Sequence, residues 1–174
     1  MKRKLLSALL ATAMTMTVVA GTGIAVSADG EAVVSTVMFS DPDTMDPGRA
    51  DDDQKNSIVL ECQETLVRLI DGKLTNAGAE SYETSDDGLV WTFHLRDNKY
   101  SDGTPVVAED YVNSIRRVFD PEVNCHNAGI FYCIAGGEAF NTGSGAKEDV
   151  GAKAIDDKTL EITLTEPIPY FAQL

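Results

Sequence analysis

The chain has 174 residues, with 14 Lys and Arg against 28 Asp and Glu, a formal charge of −14. Nucleic-acid phosphates and anionic lipid surfaces both require clustered Lys and Arg, so this balance argues against either as a partner. Three Cys, and two His far apart at 94 and 126, offer no zinc-binding spacing.

From the N-terminus, Lys2, Arg3 and Lys4 precede an apolar run, Leu5 to Ala20, and Val26-Ser27-Ala28 supplies small residues before Asp29. That is the layout of a secretory signal peptide over residues 1–28. Hydroxyl residues and glycines break the apolar run, which is too short for a good bilayer span. No Cys lies near the cleavage point to carry a lipid. Removing the leader and its three bases leaves 146 residues with 11 bases against 28 acids, a formal charge of −17. A chain of that length buries one core.

The alternation in Val33–Phe39 predicts a strand, ended by Asp41-Pro42. In "SIVLECQETLVRLIDG", Ile58, Cys62, Leu66, Leu69 and Ile70 share a helical stripe, which predicts a helix that stops at Gly72 and buries Cys62 as a free thiol. Asp51, Asp52 and Asp53 lie just before it, where negative charge favours a helix start. "SYETSDDGLVWTFHLR" reads as a hairpin turning at Ser85–Gly88, with Trp91, Phe93 and Leu95 on one face. "KYSDGTP" is a second turn. "AEDYVNSIRRVFDP" predicts a helix with Tyr111, Val112, Ile115, Val118 and Phe119 on its apolar face. The Gly-rich stretch from 122 to 149 is irregular, with room for one short helix, and its Cys125 and Cys133 are open either to pair or to stay as thiols. A final hairpin turns at Asp156-Asp157-Lys158, with Leu160, Ile162 and Leu164 alternating. The expected fold class is mixed α/β of α+β character: four to six strands with two or three helices packed on them.

No nucleophile, base and orienting group come together in this pattern, so an enzyme is not expected. Each polar residue of His94–Tyr111 has a structural explanation in a strand face, a turn or a helix start.

The same stretch carries a resemblance. Ala79-Glu80-Ser81-Tyr82, the Ser85–Gly88 turn, Trp91–Arg96, and Tyr100–Asp110 together resemble the signature region of the family 5 extracellular solute-binding proteins, the oligopeptide- and dipeptide-binding receptors of ABC importers. Met45-Asp46-Pro47 is similar to the Leu-Asp-Pro that follows their first strand. Glu64-Thr65-Leu66-Val67 stands where they have Glu-Gly-Leu-Val, and "GAKAIDDKTLEITLTEPIPYFAQL" resembles the oligopeptide-binding branch almost throughout. Four positions depart: Val107 replaces a Thr helix cap, Thr65 a Gly, Gly78 an aliphatic residue and Asn76 a Pro.

The resemblance implies a two-lobed clamp of the class II periplasmic binding-protein type. On that plan residues 29–63 open domain I and 64–174 form most of domain II, with the rest of domain I and domain III lying beyond an N-terminal fragment. It implies an exported protein, periplasmic or at the cell surface, that holds an extended peptide and hands it to an ABC permease, with no cofactor and no partner copy in the full-length protein. Strand addition would supply backbone hydrogen bonds to the peptide. The ligand-contacting segment after Asp-Pro falls on Asp51, Asp52 and Asp53, with Phe131 or Tyr132 as the aromatic wall; the acids would favour basic side chains. Other solutes remain open, such as nickel complexes, haem or oligosaccharides, as does a sensor without transport. A carbohydrate-binding module fits less well, because Trp91 and Phe93 alternate as core. Calcium held by Asp41, Asp43, Asp46 and the acidic run is a further alternative, although EF-hand spacing is missing.

Overall fold

The structure, a computed structural model, describes residues 24–26, 32–34, 41–50 and 52–174. Most of the leader, and residues 35–39 of the expected first strand, lie outside them. The chain falls into two compact units, residues 1–41 and 42–174. The first holds a two-stranded antiparallel sheet of β1 (Ile24–Val26) and β2 (Ala32–Val34), with Ala25 opposite Val33.

The second unit begins with a 3-10 turn, Pro47–Arg49, and helix α1, Asp53–Cys62. An antiparallel pair follows, β3 (Val67–Ile70) and β4 (Lys73–Asn76). The main sheet contains β5 (Ala79–Thr84), β6 (Val90–Leu95), β7 (Ala152–Asp156) and β8 (Thr159–Thr163) in the order β5-β6-β8-β7. Every pairing in it is antiparallel. Both expected hairpins turn too tightly for anything else, since parallel neighbours need a long crossover. Helix α2, Ala108–Val118, packs across β7 and β8, and a short helix α3, Gly137–Asn141, lies in the irregular stretch.

The core is the one that strand alternation indicated. Trp91, Phe93 and Leu95 of β6 are buried, while Val90, Thr92 and His94 between them are half-exposed. Leu160 and Ile162 of β8 face the same way, and α2 adds Val112 with Phe119 just beyond it. Trp91 stacks on Tyr82, ring centroids 5.8 Å apart, and Phe171 closes over it at 5.5 Å.

The expected helix from 57 to 72 is a correction. α1 starts earlier, capped by Asp52, and ends at Cys62; Gln63 is already extended. Leu66, Leu69 and Ile70 belong to a hairpin, not to a helical stripe. Asp71 and Gly72 both have positive φ, 50° and 74°, as a type I′ turn requires. "VRLI-DG-KLTN" therefore carried a hairpin signal that the apolar spacing of 3 and 4 overrode. Cys62, expected to be buried, is exposed at the helix end, and Cys125 and Cys133 are free thiols.

One of the departures has a structural reason, and a second leaves a helix cap unmade. A Cβ on Gly78 would overlap the Tyr111 hydroxyl and lie 2.9 Å from the Thr65 carbonyl, so an aliphatic residue does not fit. Val107 is the N-cap of α2 and gives no side-chain bond, although the Asp110 carboxylate accepts the Val107 N–H at 2.9 Å. Val107→Thr keeps the shape and adds the missing acceptor for an orphan amide. It is expected to stabilise the fold by about 1 kcal/mol, a rise in melting temperature of about 2–4 °C by calorimetry. An unchanged or lower melting temperature would refute the capping argument.

Candidate ligand-binding site

The segment leading into the acidic run is built around Asp46. Its carboxylate accepts the Gly48 N–H at 3.0 Å and so caps the Pro47–Arg49 turn. Both of its oxygens also accept from Arg117 at the end of α2, Oδ1 from Nη1 at 2.7 Å and Oδ2 from Nη2 at 2.6 Å. The Arg117 hydrogen bonds are the main cause that holds the Asp46 carboxyl below its ordinary range; partial burial opposes and the Gly48 N–H assists. A carboxyl lowered on folding contributes stability above its unfolded value, and loses it only as pH falls through the lowered one. The pair therefore stays ionised through mild acid.

The acidic run is a helix start. Asp52 caps α1 by accepting from the Gln54 and Lys55 N–H groups at 3.0 and 2.9 Å. The Lys55 backbone bond is the leading cause that lowers the Asp52 carboxyl. The buried Lys55 ammonium sits 2.8 Å from Asp43 and 3.2 Å from Asp52. Asp53 lies exposed in the first turn, and Asp51 is outside the described residues. Asp52 alone among the described residues of the run is extended, with φ −132° and ψ 162°. Its carbonyl accepts the Asn56 N–H at 3.0 Å and that of Asp53 accepts the Ser57 hydroxyl at 2.6 Å, so both are taken by the helix. The calcium alternative fares poorly: Lys55 engages Asp43 and Arg117 engages Asp46.

The two aromatic candidates lie at the end of a 3-10 turn, Ala128–Phe131. Phe131 and Tyr132 are half-buried against the core. The Tyr132 hydroxyl donates to Asn141 Oδ1 at 2.7 Å, and Asn141 Nδ2 donates to the Phe119 carbonyl at 3.0 Å. Tyr132 and Phe119 also stand ring to ring, 6.5 Å between centroids.

One short stretch thus bonds the turn that precedes the acidic run and, through Asn141, the aromatic loop. Arg117 holds the Asp-Pro corner, and Phe119, two residues on, holds the aromatic loop through Asn141. Sequence reasoning missed Arg117, Asn141 and Lys55, because the first two act over separations of 71 and 22 residues that no local pattern encodes. A larger open groove of ≈ 660 Å³ runs between the end of α1 and the 98–101 turn, and none of the candidate residues lines it. Glu64 in its wall pairs with Arg68 and Arg96, each at 2.8 Å.

Comparison with known proteins places this geometry among relatives. The sequence profile described as "Bacterial extracellular solute-binding proteins, family 5 Middle" matches residues 73–174. The chain is 37% identical to "Oligopeptide-binding protein OppA" of Bacillus subtilis over 147 residues, covering 83% of this chain and 27% of that protein. It is 42% identical to the periplasmic oligopeptide-binding protein OppA of Escherichia coli over 139 residues, 78% of this chain and 25% of that one. Among solved structures, Listeria monocytogenes OppA bound to peptide is similar with a TM-score of 0.71 and 40% identity, covering 74% of this chain and 26% of its own. The chain spans about a quarter of the length of the relatives it matches.

Proposed function

Because the chain belongs to the family 5 bacterial extracellular solute-binding proteins, we propose that it serves peptide capture for an ABC importer, as part of a receptor that holds an extended peptide and delivers it to a membrane permease. The observation that carries this reading is its likeness, in both sequence and fold, to a relative solved with peptide bound. In this reading residues 29–63 open one domain and 64–174 form most of the next, and the 1–28 leader sends the protein out of the cytoplasm. Asp51 to Asp53 meet the peptide, and Phe131 or Tyr132 supplies a wall. Asp52 spends its carboxylate on the helix cap and on Lys55, so Asp53 keeps the freer charge for a basic side chain.

A chimaera tests the reading. Residues 42–174 replace the matching quarter of the Bacillus subtilis relative, and calorimetry follows binding of a Lys-rich peptide pool. Micromolar or tighter binding is expected, about −8 kcal/mol or better. A cooperatively folded chimaera that takes up no peptide would overturn it. The 174-residue chain by itself is expected to show no measurable binding. Exposed ion pairs give under about 1 kcal/mol each, while ordering a flexible peptide and losing its tumbling freedom cost several times that.

A further inference from the structure

The corner before α1 is held more firmly than a surface turn requires. Asp46 and Arg117 form a two-point carboxylate–guanidinium fork across 71 residues of chain. The planar fork fixes orientation as well as distance, which a lysine point charge does not. Gly48 belongs to the same fitting: a Cβ there would lie 2.9 Å from Arg117 Nη1 and 3.2 Å from Val123 Cγ1. Four residues after Gly48 stands Asp52, the cap of α1, followed by Asp53. On the far side, the Phe119 carbonyl holds Asn141, and Asn141 holds Tyr132.

Resting on the peptide-receptor reading above, we infer that Asp46 and Arg117 are positioning residues for the ligand: their fork fixes the approach to Asp52 and Asp53 relative to the Phe131–Tyr132 wall, so peptide affinity depends on it through the main-chain N–H groups at the start of α1, which no helix carbonyl uses. Main-chain hydrogen bonds form over a window of only about 0.5 Å. A loosened corner therefore forfeits them without any change in the contacting residues.

Three substitutions separate this role from general stability. Arg117→Ala removes the fork, Gly48→Ala pushes it apart without touching a charge, and Arg117→Lys keeps the charge without the fork. Hydrogen exchange on the full chain reads the Ala50 amide, bonded to the Pro47 carbonyl, against the amides of β6 and β8. Arg117→Ala and Gly48→Ala are each expected to speed exchange at Ala50 by about tenfold while the sheet amides keep their rates, and Arg117→Lys to recover only part of the protection. In the chimaera the same two variants are expected to weaken peptide binding about tenfold. Unchanged exchange at Ala50, equal acceleration throughout the sheet, or unaltered affinity in a peptide-binding chimaera would each overturn the inference. A wild-type chimaera that binds no peptide would instead count against the receptor reading, and the exchange rates would still decide whether the fork fixes the corner.

Discussion

Phe93→Ala is expected to cost the second unit about 3–5 kcal/mol, the range for truncating a wholly buried aromatic residue. Phe93 lies on β6, an inner strand of the main sheet, and is 2% exposed. It pairs across the sheet with Tyr82 on β5 and Leu160 on β8. Its ring centroid is 5.6 Å from that of Tyr82 and 6.3 Å from that of Trp91. Rigid strands on both sides leave little room to collapse into the void, which favours the upper part of the range. Domains of this size have only about 5–15 kcal/mol in total, so the loss removes much of it. Urea unfolding, followed by the near-ultraviolet signal of Trp91, the chain's single tryptophan, is expected to show a midpoint lower by about 2 M. Thr92→Ala, on the opposite face of the same strand, is expected to cost under about 1 kcal/mol. Equal effects from the two would refute the inward–outward assignment of β6.

That assignment was legible in the sequence because a strand repeats every two residues and one face of β6 is buried. Trp91, Phe93 and Leu95 could share a face in no other register. α2 was legible for the corresponding reason, its apolar residues recurring at helical spacing between an acidic first turn and Pro121. The segment from 57 to 76 was not, because Cys62, Leu66, Leu69 and Ile70 satisfy helical spacing by coincidence. The competing signal was Asp71-Gly72, and the positive φ that both adopt decides for the hairpin. The candidate site divides in the same way. The cap formed by Asp52 is a local device and could be anticipated. The Arg117 fork and the Asn141 bridge join residues that only the folded chain brings together.

Gly136→Ala is expected to be the most damaging single-methyl change in the irregular stretch, costing about 3 kcal/mol or more through left-handed strain of about 1–2 kcal/mol and overpacking of about 1–3 kcal/mol. Gly136 has φ 72°, in the region L-residues avoid. An added Cβ would overlap the Asp149 carbonyl oxygen and lie 2.8 Å from its carbon and 3.2 Å from Val150 N. These are backbone atoms that cannot swing aside. The Gly151 N–H donates to the Ala135 carbonyl at 2.7 Å and the Ala135 N–H to Thr163 at 2.9 Å, so the strand at this point is tied to the main sheet. Gly143 supplies the control: its φ is 77°, but nothing lies within 4 Å of a Cβ there. Gly143→Ala therefore meets the strain without the collision and is expected to cost about 1–2 kcal/mol. Gly136 also leads into α3, whose last residue, Asn141, holds Tyr132. Displacing it should release the Tyr132 ring before the sheet unfolds, visible as faster flipping and averaged proton shifts of Tyr132 while Phe93 keeps its own. If Gly136→Ala and Gly143→Ala prove equally mild, with Tyr132 unmoved, the close approach of residues 136 and 149 does not constrain the loop and its hold on the aromatic wall must come from elsewhere.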